Sequence, residues 1–245
     1  NTAEKCGVIT GLGASGRRDA PGRLFEALDD EDPEVRGTVL SALETLRLGG
    51  FYAGVGSALE QAETPLKVGL LQVLGTRTEP QAAPIIISYL DHEIPGVRAA
   101  ALRAAEANGS LEVAKTLIDC VVQGEAVARE GALGALGRMP GEEITAAIVE
   151  AARTAEAEPR ARLLRALVRR GDSGALEFII ESARAGEEAV RVVASGGLET
   201  LKRTDALPTL LAGIDRGGVD AVAAEEVLMR LPLSEMRDAL TDAGR

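Results

Sequence analysis

Side chains able to carry acid–base chemistry are scarce in this sequence of 245 residues. His92 is the only histidine, and it stands between two acids in the segment Asp91-His92-Glu93. A hydrolase or transferase needs a nucleophile, a base and a pocket that holds them together. The zinc-typical spacings His-Glu-x-x-His and Cys-x-x-Cys do not occur in the sequence. We therefore interpret His92 as a solvated turn residue, with a metal ligand or a proton relay as the alternative.

The two cysteines, Cys6 and Cys120, are too few for a disulfide framework or a metal-ligand cluster. Cys120 stands where equivalent helices of the chain carry mostly small residues, so we expect it to fill the core. Cys6 lies on the first helix, where we expect more exposure, and Lys5 is the only basic residue beside it. Both are predicted to be free thiols.

Two further motifs could suggest a bound nucleotide or ion. The glycines of Gly7-x-x-x-Gly11-x-Gly13-x-x-Gly16 resemble a phosphate-binding loop, but they fall in a helix and its following turn, not between a strand and a helix. The acidic run 29–32 lacks the alternate-residue pattern and the distal Glu of a calcium-binding hand. We interpret this run as an acidic helix cap, and we predict neither a cofactor nor a metal site.

Arginine is concentrated in the segment 160–170 of a chain whose formal net charge is −11. Helical spacing places Arg162, Arg165 and Arg169 on one face and the leucines at 163, 164 and 167 on the other. An unpaired charge in the core costs on the order of several kcal/mol, so the arginine face must be exposed. We predict that these three arginines form the most positive patch of the molecule. They are interpreted as a solvated basic face paired with nearby acids such as Glu199, or else as a partner-binding site for an acidic protein segment or a small anion.

Composition restricts the partners and the compartment. The negative net charge repels a phosphate backbone over most of the surface, which disfavours nucleic-acid binding. No run of about 18 apolar residues is present, and residues 1–20 lack a signal-peptide layout, so we expect a soluble protein that does not bind membranes. The compartment stays open, with the cytoplasm slightly favoured over the periplasm.

An internal repeat organises the whole chain. The segment Asp32-Pro33-Glu34-Val35-Arg36 recurs in altered form at 94–98, which is twice 31 residues later. Steps of 31 residues from Arg36 meet a basic residue at seven of eight positions, with Val222 as the exception: Lys5, Arg36, Lys67, Arg98, Arg129, Arg160 and Arg191. The residue four positions earlier is mostly acidic or a good helix cap, which predicts a helix start and an acid-to-base pair one turn apart.

Two apolar stripes accompany each step of the repeat. Leucine dominates the positions four and seven residues after the basic one, as at Leu40 and Leu43, which predicts a helix that we name B. A second stripe starts twelve residues before the basic one and predicts a preceding helix, A: Leu24, Val55, Ile86, Leu117, Ile148, Ile179 and Leu210. Glycine, proline and asparagine lie between each B helix and the next A helix.

These observations predict an all-α fold, an α-α superhelix or solenoid of antiparallel helix pairs with about eight repeats of 31 residues. Residues 1–245 are expected to form one repeat domain. The array is expected to be incomplete at both ends, because the chain begins with a B helix and the segment 233–240 starts an A helix without a B helix after it. We therefore expect a fragment of a longer protein.

The segment 32–36, the 31-residue period and the B helices rich in alanine and leucine resemble the short bacterial HEAT repeats of the phycobilisome-lyase type. The resemblance covers essentially the whole chain and weakens where Ser195, Val222 and Glu226 replace the expected Leu, Arg and Leu. It implies architecture more than function, since such arrays occur in lyases, DNA glycosylase-like proteins, regulatory scaffolds and large multidomain proteins.

We predict a non-catalytic scaffold that binds a protein partner, including other domains of the same parent chain, along a curved helical surface. A tetrapyrrole or bilin lyase-like enzyme is the first alternative, but it would need a pocket with His, Tyr and acidic residues, and aromatic residues are few. A HEAT-like nucleic-acid binder is the second, but its B helices should carry Lys or Arg at positions where this chain has Thr10, Ser41 and Gln72.

Overall fold

The computed structural model describes residues 1–46, 49–185 and 187–200. Within these ranges the chain forms α-helices joined by turns and two short 3₁₀ helices, Ala27–Asp29 and Ser173–Ala175, and no strand is present. The predicted all-α fold of consecutive helix pairs is confirmed. The expectations for Leu210, Val222, Glu226 and the segment 233–240 lie outside the described residues.

The helices follow the predicted alternation of A and B. The B helices are α1 (Thr2–Ala14), α3 (Pro33–Thr45), α5 (Thr64–Gly75), α7 (Pro95–Asn108), α9 (Ala126–Leu136), α11 (Ala157–Arg170) and α13 (Glu188–Thr200). The A helices are α2 (Ala20–Glu26), α4 (Phe51–Gln61), α6 (Ala82–Ser88), α8 (Leu111–Gln123), α10 (Glu142–Thr154) and α12 (Leu176–Ala185).

The chain divides into two compact units, Asn1–Val113 and Ala114–Arg245. In the first unit each B helix packs against the next, α1 on α3, α3 on α5 and α5 on α7. In the second unit α11 packs against both α9 and α13, and the A helices α10 and α12 pack against α11 and α13 respectively. Consecutive B helices therefore form a continuous layer within each unit.

Local chemistry explains where the B helices begin and end. Proline stands in the first turn of α3, α5 and α7, where its fixed φ suits the helix and its missing N–H leaves no bond unmade. The side chain of Asp32 accepts a hydrogen bond from the backbone N–H of Glu34 at 2.9 Å and so caps α3. Gly109 and Gly171 end α7 and α11 in the left-handed conformation, with φ of 63° and 66°.

The core follows the predicted columns. All six described members of the A-helix column are fully buried: Leu24, Val55, Ile86, Leu117, Ile148 and Ile179. In the B helices Leu43, Leu74, Leu136 and Leu167 are also at 0% exposure, whereas Leu12 of the first B helix is only half-buried. Because each stripe faces the neighbouring helices, burial of apolar side chains fixes the rotation of every helix.

The basic column does not form the predicted ion pairs. In the described part of the chain none of these cations bonds to the acid four residues before it. Four of them donate instead to backbone carbonyls in or just beyond the preceding A helix: Arg36 Nη1 to Asp30 O (2.6 Å), Lys67 Nζ to Glu60 O (3.3 Å), Arg98 Nη1 to His92 O (2.8 Å) and Arg160 Nη2 to Ala155 O (2.8 Å). These carbonyls lie near the negative end of the A-helix dipole, so in these four repeats the cation joins helix A, or the turn after it, to helix B.

Candidate partner-binding surface

The predicted arginine face lies on α11, in the second unit. Leu163, Leu164 and Leu167 are at 0% exposure on the inner side of the helix, as the spacing predicts. Arg165 and Arg169 are exposed on the outer side. The two exposed arginines are one helical turn apart, so their side chains are neighbours on the helix surface.

Arg162 corrects the prediction that all three arginines are exposed. Its side chain is only 20% exposed, and its Nη2 donates to Oε2 of Glu158 at 2.6 Å, one turn earlier in α11. This pair neutralises Arg162 locally. The exposed positive charge of the face is therefore carried by Arg165 and Arg169.

Arg170, the next residue along the helix, points into the protein. Its side chain is 3% exposed and forms an ion pair of 2.9 Å with Asp172. The guanidinium donates to the backbone carbonyls of Leu136 (2.8 Å) and Met139 (2.6 Å) at the end of α9, and to that of Gly141 (2.9 Å). Its Nε also donates to the hydroxyl of Thr145 at 2.9 Å. Arg170 thus holds the end of α9, the start of α10 and the end of α11 together.

Equivalent positions in the first unit connect B helices in the same way. Arg77, after the end of α5, is 2% exposed and donates from Nη2 to the carbonyl of Leu43 near the end of α3. Its guanidinium also lies 4.2 Å from the ring centroid of Phe51. Asn108, 31 residues further on, donates from Nδ2 to the carbonyl of Arg77. These contacts fix neighbouring B helices relative to one another, and the periodicity of the sequence gave no sign of them.

Two glycines of the second unit determine the course of Arg169. A Cβ added to Gly137 would lie 2.6 Å from Cδ and 2.9 Å from Cγ of Arg169, so the arginine stem lies directly against this glycine. The guanidinium then reaches Gly134 of α9, with Nη1 at 3.8 Å from the place of a Cβ there. Both terminal nitrogens of Arg138 lie 3.7 Å from that same point. Two cations from successive repeats therefore converge over Gly134.

Acidic side chains lie toward the other end of these helices. Glu130 of α9 is exposed one turn before Gly134, and Glu158 of α11 is engaged by Arg162. Negative charge near a helix start and positive charge near its end both agree with the helix dipole. The surface thus changes from acidic to basic along the helix axes, and we name the basic end, formed by Arg138, Arg165 and Arg169, the arginine surface.

A depression of about 680 Å³ lies beside the starts of α11 and α13. Its lining mixes both signs of charge: Val122, Arg129, Glu156, Ala157, Glu158, Pro159, Arg160, Arg162 and Glu187. Arg160 donates to the carbonyls of Ala152 and Ala155, and Arg162 to Glu158, so these cations are already engaged within the chain.

The residues singled out for acid–base chemistry are bound into local structure. His92 is half-buried, not fully solvated, and stacks on Tyr89 with a centroid distance of 5.6 Å. Its Nδ1 accepts the backbone N–H of Ile94 at 3.1 Å, just before α7. Burial raises the pKa of the Tyr89 hydroxyl. These contacts give His92 a structural use at the start of a helix.

Neither cysteine is deeply buried or disulfide-bonded. Cys6 and Cys120 are both half-buried and neither forms a disulfide, so Cys120 is less enclosed than the expectation of a core residue requires. Thr38 donates from its hydroxyl to the sulfur of Cys6 at 3.3 Å. The glycines at 7, 11 and 13 lie within α1, as predicted, so they form no phosphate-binding loop.

The acidic run 29–32 is held by neighbouring groups of the chain. Lys5 donates to Asp30 Oδ2 at 2.6 Å, and this bond lowers the pKa of the Asp30 carboxyl. The hydroxyl of Thr2 donates to Asp32 Oδ2 at 2.6 Å and lowers the pKa of that carboxyl. The interpretation as a helix cap agrees with the contact of Asp32 to α3. Among the described residues, no group of three or more His, Cys, Asp and Glu side chains is placed to hold a metal ion.

Within the described ranges, no helix has both the length and the apolar character that a membrane crossing requires.

Residues 52–137 match the family model for HEAT repeats. This part of the chain is therefore similar to HEAT repeats, and the described helix pairs are consistent with a HEAT-like helical solenoid. No curated protein matches the sequence.

Three solved structures resemble the chain at low identity. Human deoxyhypusine hydroxylase is 20% identical, with 89% of this chain and 98% of that one covered and a TM-score of 0.35. The complex of CpcE and CpcF of phycocyanin lyase from Nostoc sp. PCC7120 is 19% identical, with coverages of 86% and 94% and a TM-score of 0.41. The archaeal HEAT-like repeats protein from Thermococcus onnurineus NA1 is 15% identical, with coverages of 93% and 95% and a TM-score of 0.35.

Proposed function

We propose that this protein is a non-catalytic scaffold that binds a protein partner on the surface of its B helices. The observation that carries the proposal is the pair of exposed arginines, Arg165 and Arg169, on a helix that is fixed from its other side by Arg170. The net charge of −11 means that acidic side chains repel one another over the surface, and cations spread evenly among them would reduce this repulsion. Arg165 and Arg169 instead lie side by side on one exposed helix face.

Helix packing makes this face suitable for recognition. Arg170 joins α11 to the end of α9, and apolar burial of Leu163, Leu164 and Leu167 sets the rotation of α11. A partner would therefore meet arginines whose backbone is already ordered, which lowers the entropic cost of binding. Repeat stacks bind partners through such layers of parallel helix faces.

The proposal extends to the type of repeat and the kind of partner. The B helices α3, α5, α7, α9, α11 and α13 start at residues 33, 64, 95, 126, 157 and 188, which supports repeats of the short 31-residue type. The partner is a protein, either separate or another domain of the parent chain, and not a nucleic acid or a membrane. Two free thiols support a reducing compartment such as the cytoplasm.

Affinity capture from the source organism tests the proposal. The whole parent protein is used as bait beside the variant Arg165→Glu/Arg169→Glu, and enriched proteins are quantified by mass spectrometry. The proposal expects at least one protein that the wild type enriches and the variant loses. A matched control, Arg103→Glu/Lys115→Glu, alters two exposed cations elsewhere by the same charge and should retain the partner. Equal recovery with all three baits would place binding elsewhere, and no specific partner for any bait would contradict the scaffold proposal.

A further inference from the structure

The hydrogen bond between His92 and Ile94 depends on the protonation state of the imidazole. Nδ1 of His92 accepts the backbone N–H of Ile94 at 3.1 Å, just before α7 begins at Pro95. A ring nitrogen accepts a hydrogen bond only while it carries no proton, so this bond requires the neutral imidazole with its proton on Nε2. An imidazole gains its second proton between about pH 5 and pH 8. Protonation therefore turns Nδ1 into a donor that faces another donor.

The same bond is present two repeats earlier, where a carboxylate takes the place of the imidazole. Asp30 lies 62 residues, or two periods of 31, before His92. Its Oδ1 accepts the backbone N–H of Asp32 at 3.0 Å. The hydrogen bond from Lys5 lowers the pKa of the Asp30 carboxyl, so this carboxylate stays an acceptor in mildly acidic solution. The two turns thus have equivalent side-chain acceptors, and only that of His92 is lost near neutral pH.

His92 supplies the side-chain cap at the start of α7. Ile94 is the N-cap residue of this helix, and its apolar side chain forms no cap bond. Pro95 follows and has no N–H to donate. The bond from Arg98 Nη1 to the carbonyl of His92, 2.8 Å long, joins α7 to the same turn. Because both bonds end on His92, a movement of this residue affects the start of α7 and its connection to α6.

Cations of the neighbouring helices favour the neutral ring. Arg98 of α7 lies at the carbonyl of His92, and the start of α7 carries the positive end of the helix dipole. Lys67 of α5 donates to the carbonyl of Glu60 at the end of α4. These positive groups repel a further positive charge on the imidazole. They add to the bond from Ile94 in holding the ring uncharged.

Carboxylates offer the charged ring other partners. Asp91 and Glu93 stand on either side of His92 in the chain, and both are exposed. From α4 the carboxylate of Glu60 acts on the hydroxyl of Tyr89, whose ring stacks on the imidazole at a centroid distance of 5.6 Å. An imidazolium that leaves Ile94 can rotate and donate to a neighbouring carboxylate, which is a stronger acceptor than a neutral group.

We infer that His92 is a pH-dependent switch of the turn between α6 and α7. The neutral imidazole binds the N–H of Ile94 and orders the start of α7. The protonated imidazole releases Ile94, pairs with an acid of the turn and loosens the connection between the two helices. The switch lies in the first unit and is independent of the scaffold proposal, which concerns α11 of the second unit.

NMR spectroscopy of the full chain labelled with ¹⁵N tests the inference between about pH 8 and pH 5. At the upper end, the ring nitrogen shifts of His92 should show a proton on Nε2 and none on Nδ1. As the pH falls, the amide signal of Ile94 should move with the same midpoint as the ring. The protection of this amide against hydrogen exchange, relative to an unstructured chain at the same pH, should fall about three- to tenfold, as expected for the loss of one neutral hydrogen bond.

His92→Asn is the matched variant, because the side-chain oxygen of asparagine can accept an N–H two residues later and does not titrate. Protection of the Ile94 amide should then stay constant over the same range. The amide of Asp32, bound by the carboxylate of Asp30, is the internal control and should keep its protection in the wild type. A proton on Nδ1 in the neutral ring, or an Ile94 signal that does not follow the ring, would overturn the inference. Equal loss of protection in His92→Asn, or at Asp32, would also overturn it, since the change would then not come from the imidazole.

Discussion

Replacement of Arg170 by methionine should destabilise the second unit strongly. Methionine keeps an unbranched stem but is shorter than arginine, and it has neither the charge nor any donor. The carbonyls of Leu136, Met139 and Gly141 then lose their bonds to the guanidinium, and Asp172 loses its ion-pair partner. Because the Arg170 side chain is only 3% exposed, water replaces these bonds incompletely.

The magnitude follows from the burial and the number of bonds. A hydrogen bond to a charged group contributes about 1.5–3 kcal/mol, but bonds to one group are not additive. A buried acceptor that loses its donor costs about 1–3 kcal/mol, and we expect the carbonyls that lose Arg170 to cost about 3–5 kcal/mol together, whereas Asp172, which is 38% exposed, can be solvated. For a domain of this size the change corresponds to a decrease in melting temperature of about 6–20 °C.

Arg169→Met is the matched control, since the adjacent arginine of the same helix is exposed. Its free energy of unfolding should differ from that of the wild type by no more than about 0.5 kcal/mol. Urea unfolding followed by far-ultraviolet circular dichroism measures both variants. A loss below about 1 kcal/mol for Arg170→Met, or equal losses for the two, would refute the reasoning, because the carbonyls would then be satisfied without the guanidinium.

Three further predictions concern helix packing, the course of Arg169 and one exposed ion pair. Gly75→Ala should lower the free energy of unfolding by about 1–3 kcal/mol, because the added Cβ would lie 2.9 Å from Cα of Ala104. At Gly37 an added Cβ meets nothing within 4 Å, so Gly37→Ala should raise the free energy of unfolding by about 0.5–1 kcal/mol in the same urea assay. Gly137→Ala should displace Arg169 and weaken binding of the captured partner about two- to fivefold without any change in charge. The hydrogen bond from Arg17 lowers the pKa of the Asp19 carboxyl from 3.8 to about 2. The stabilisation that this exposed pair gives the folded chain is therefore complete above pH 3.8 and is lost as the pH falls through about 2. Carboxyl NMR titration should give a midpoint near 2 in the wild type and a higher midpoint in Arg17→Ala, where the ion pair of Asp19 with Arg23 remains.

The helix starts and the apolar columns could be predicted because they depend on features that repeat. Burial of Leu24, Val55 and Ile86 recurs at one period, so each copy supports the interpretation of the others. The basic column was also visible, but its partners were predicted wrongly. Arg36 and Arg98 donate to backbone carbonyls. Because every residue has a backbone carbonyl, the sequence does not indicate which one accepts the bond.

The arginines of α11 show why the site was only partly predictable. Arg169 and Arg170 are identical in type, yet one is exposed and the other is buried under α9. At the positions equivalent to Arg170, the earlier repeats have Arg77, Asn108 and Met139. Because these residues differ in type, the sequence does not indicate that this position connects neighbouring B helices. Arg162 could have been assigned correctly, since Glu158 stands four residues before it in the order that favours a helical pair.

Arg138 was missed for a different reason. Helical spacing relates only the arginines of one helix, whereas Arg138 joins Arg169 from the preceding repeat at the same position of the period. Its contribution depends on Gly134 and Gly137, whose missing side chains let the two guanidinium groups converge. A comparison of charge and side-chain size across successive repeats would have indicated this surface.

Arginine footprinting of the chain with and without its captured partner tests most directly the claim that a protein binds at the arginine surface. A dicarbonyl reagent modifies accessible guanidinium groups, and mass spectrometry locates the modified residues. The account predicts that Arg165 and Arg169 react in the free chain and are protected in the complex, while the exposed Arg103 reacts equally in both. Unchanged modification of Arg165 and Arg169 in the complex, or protection of Arg103 alone, would contradict it.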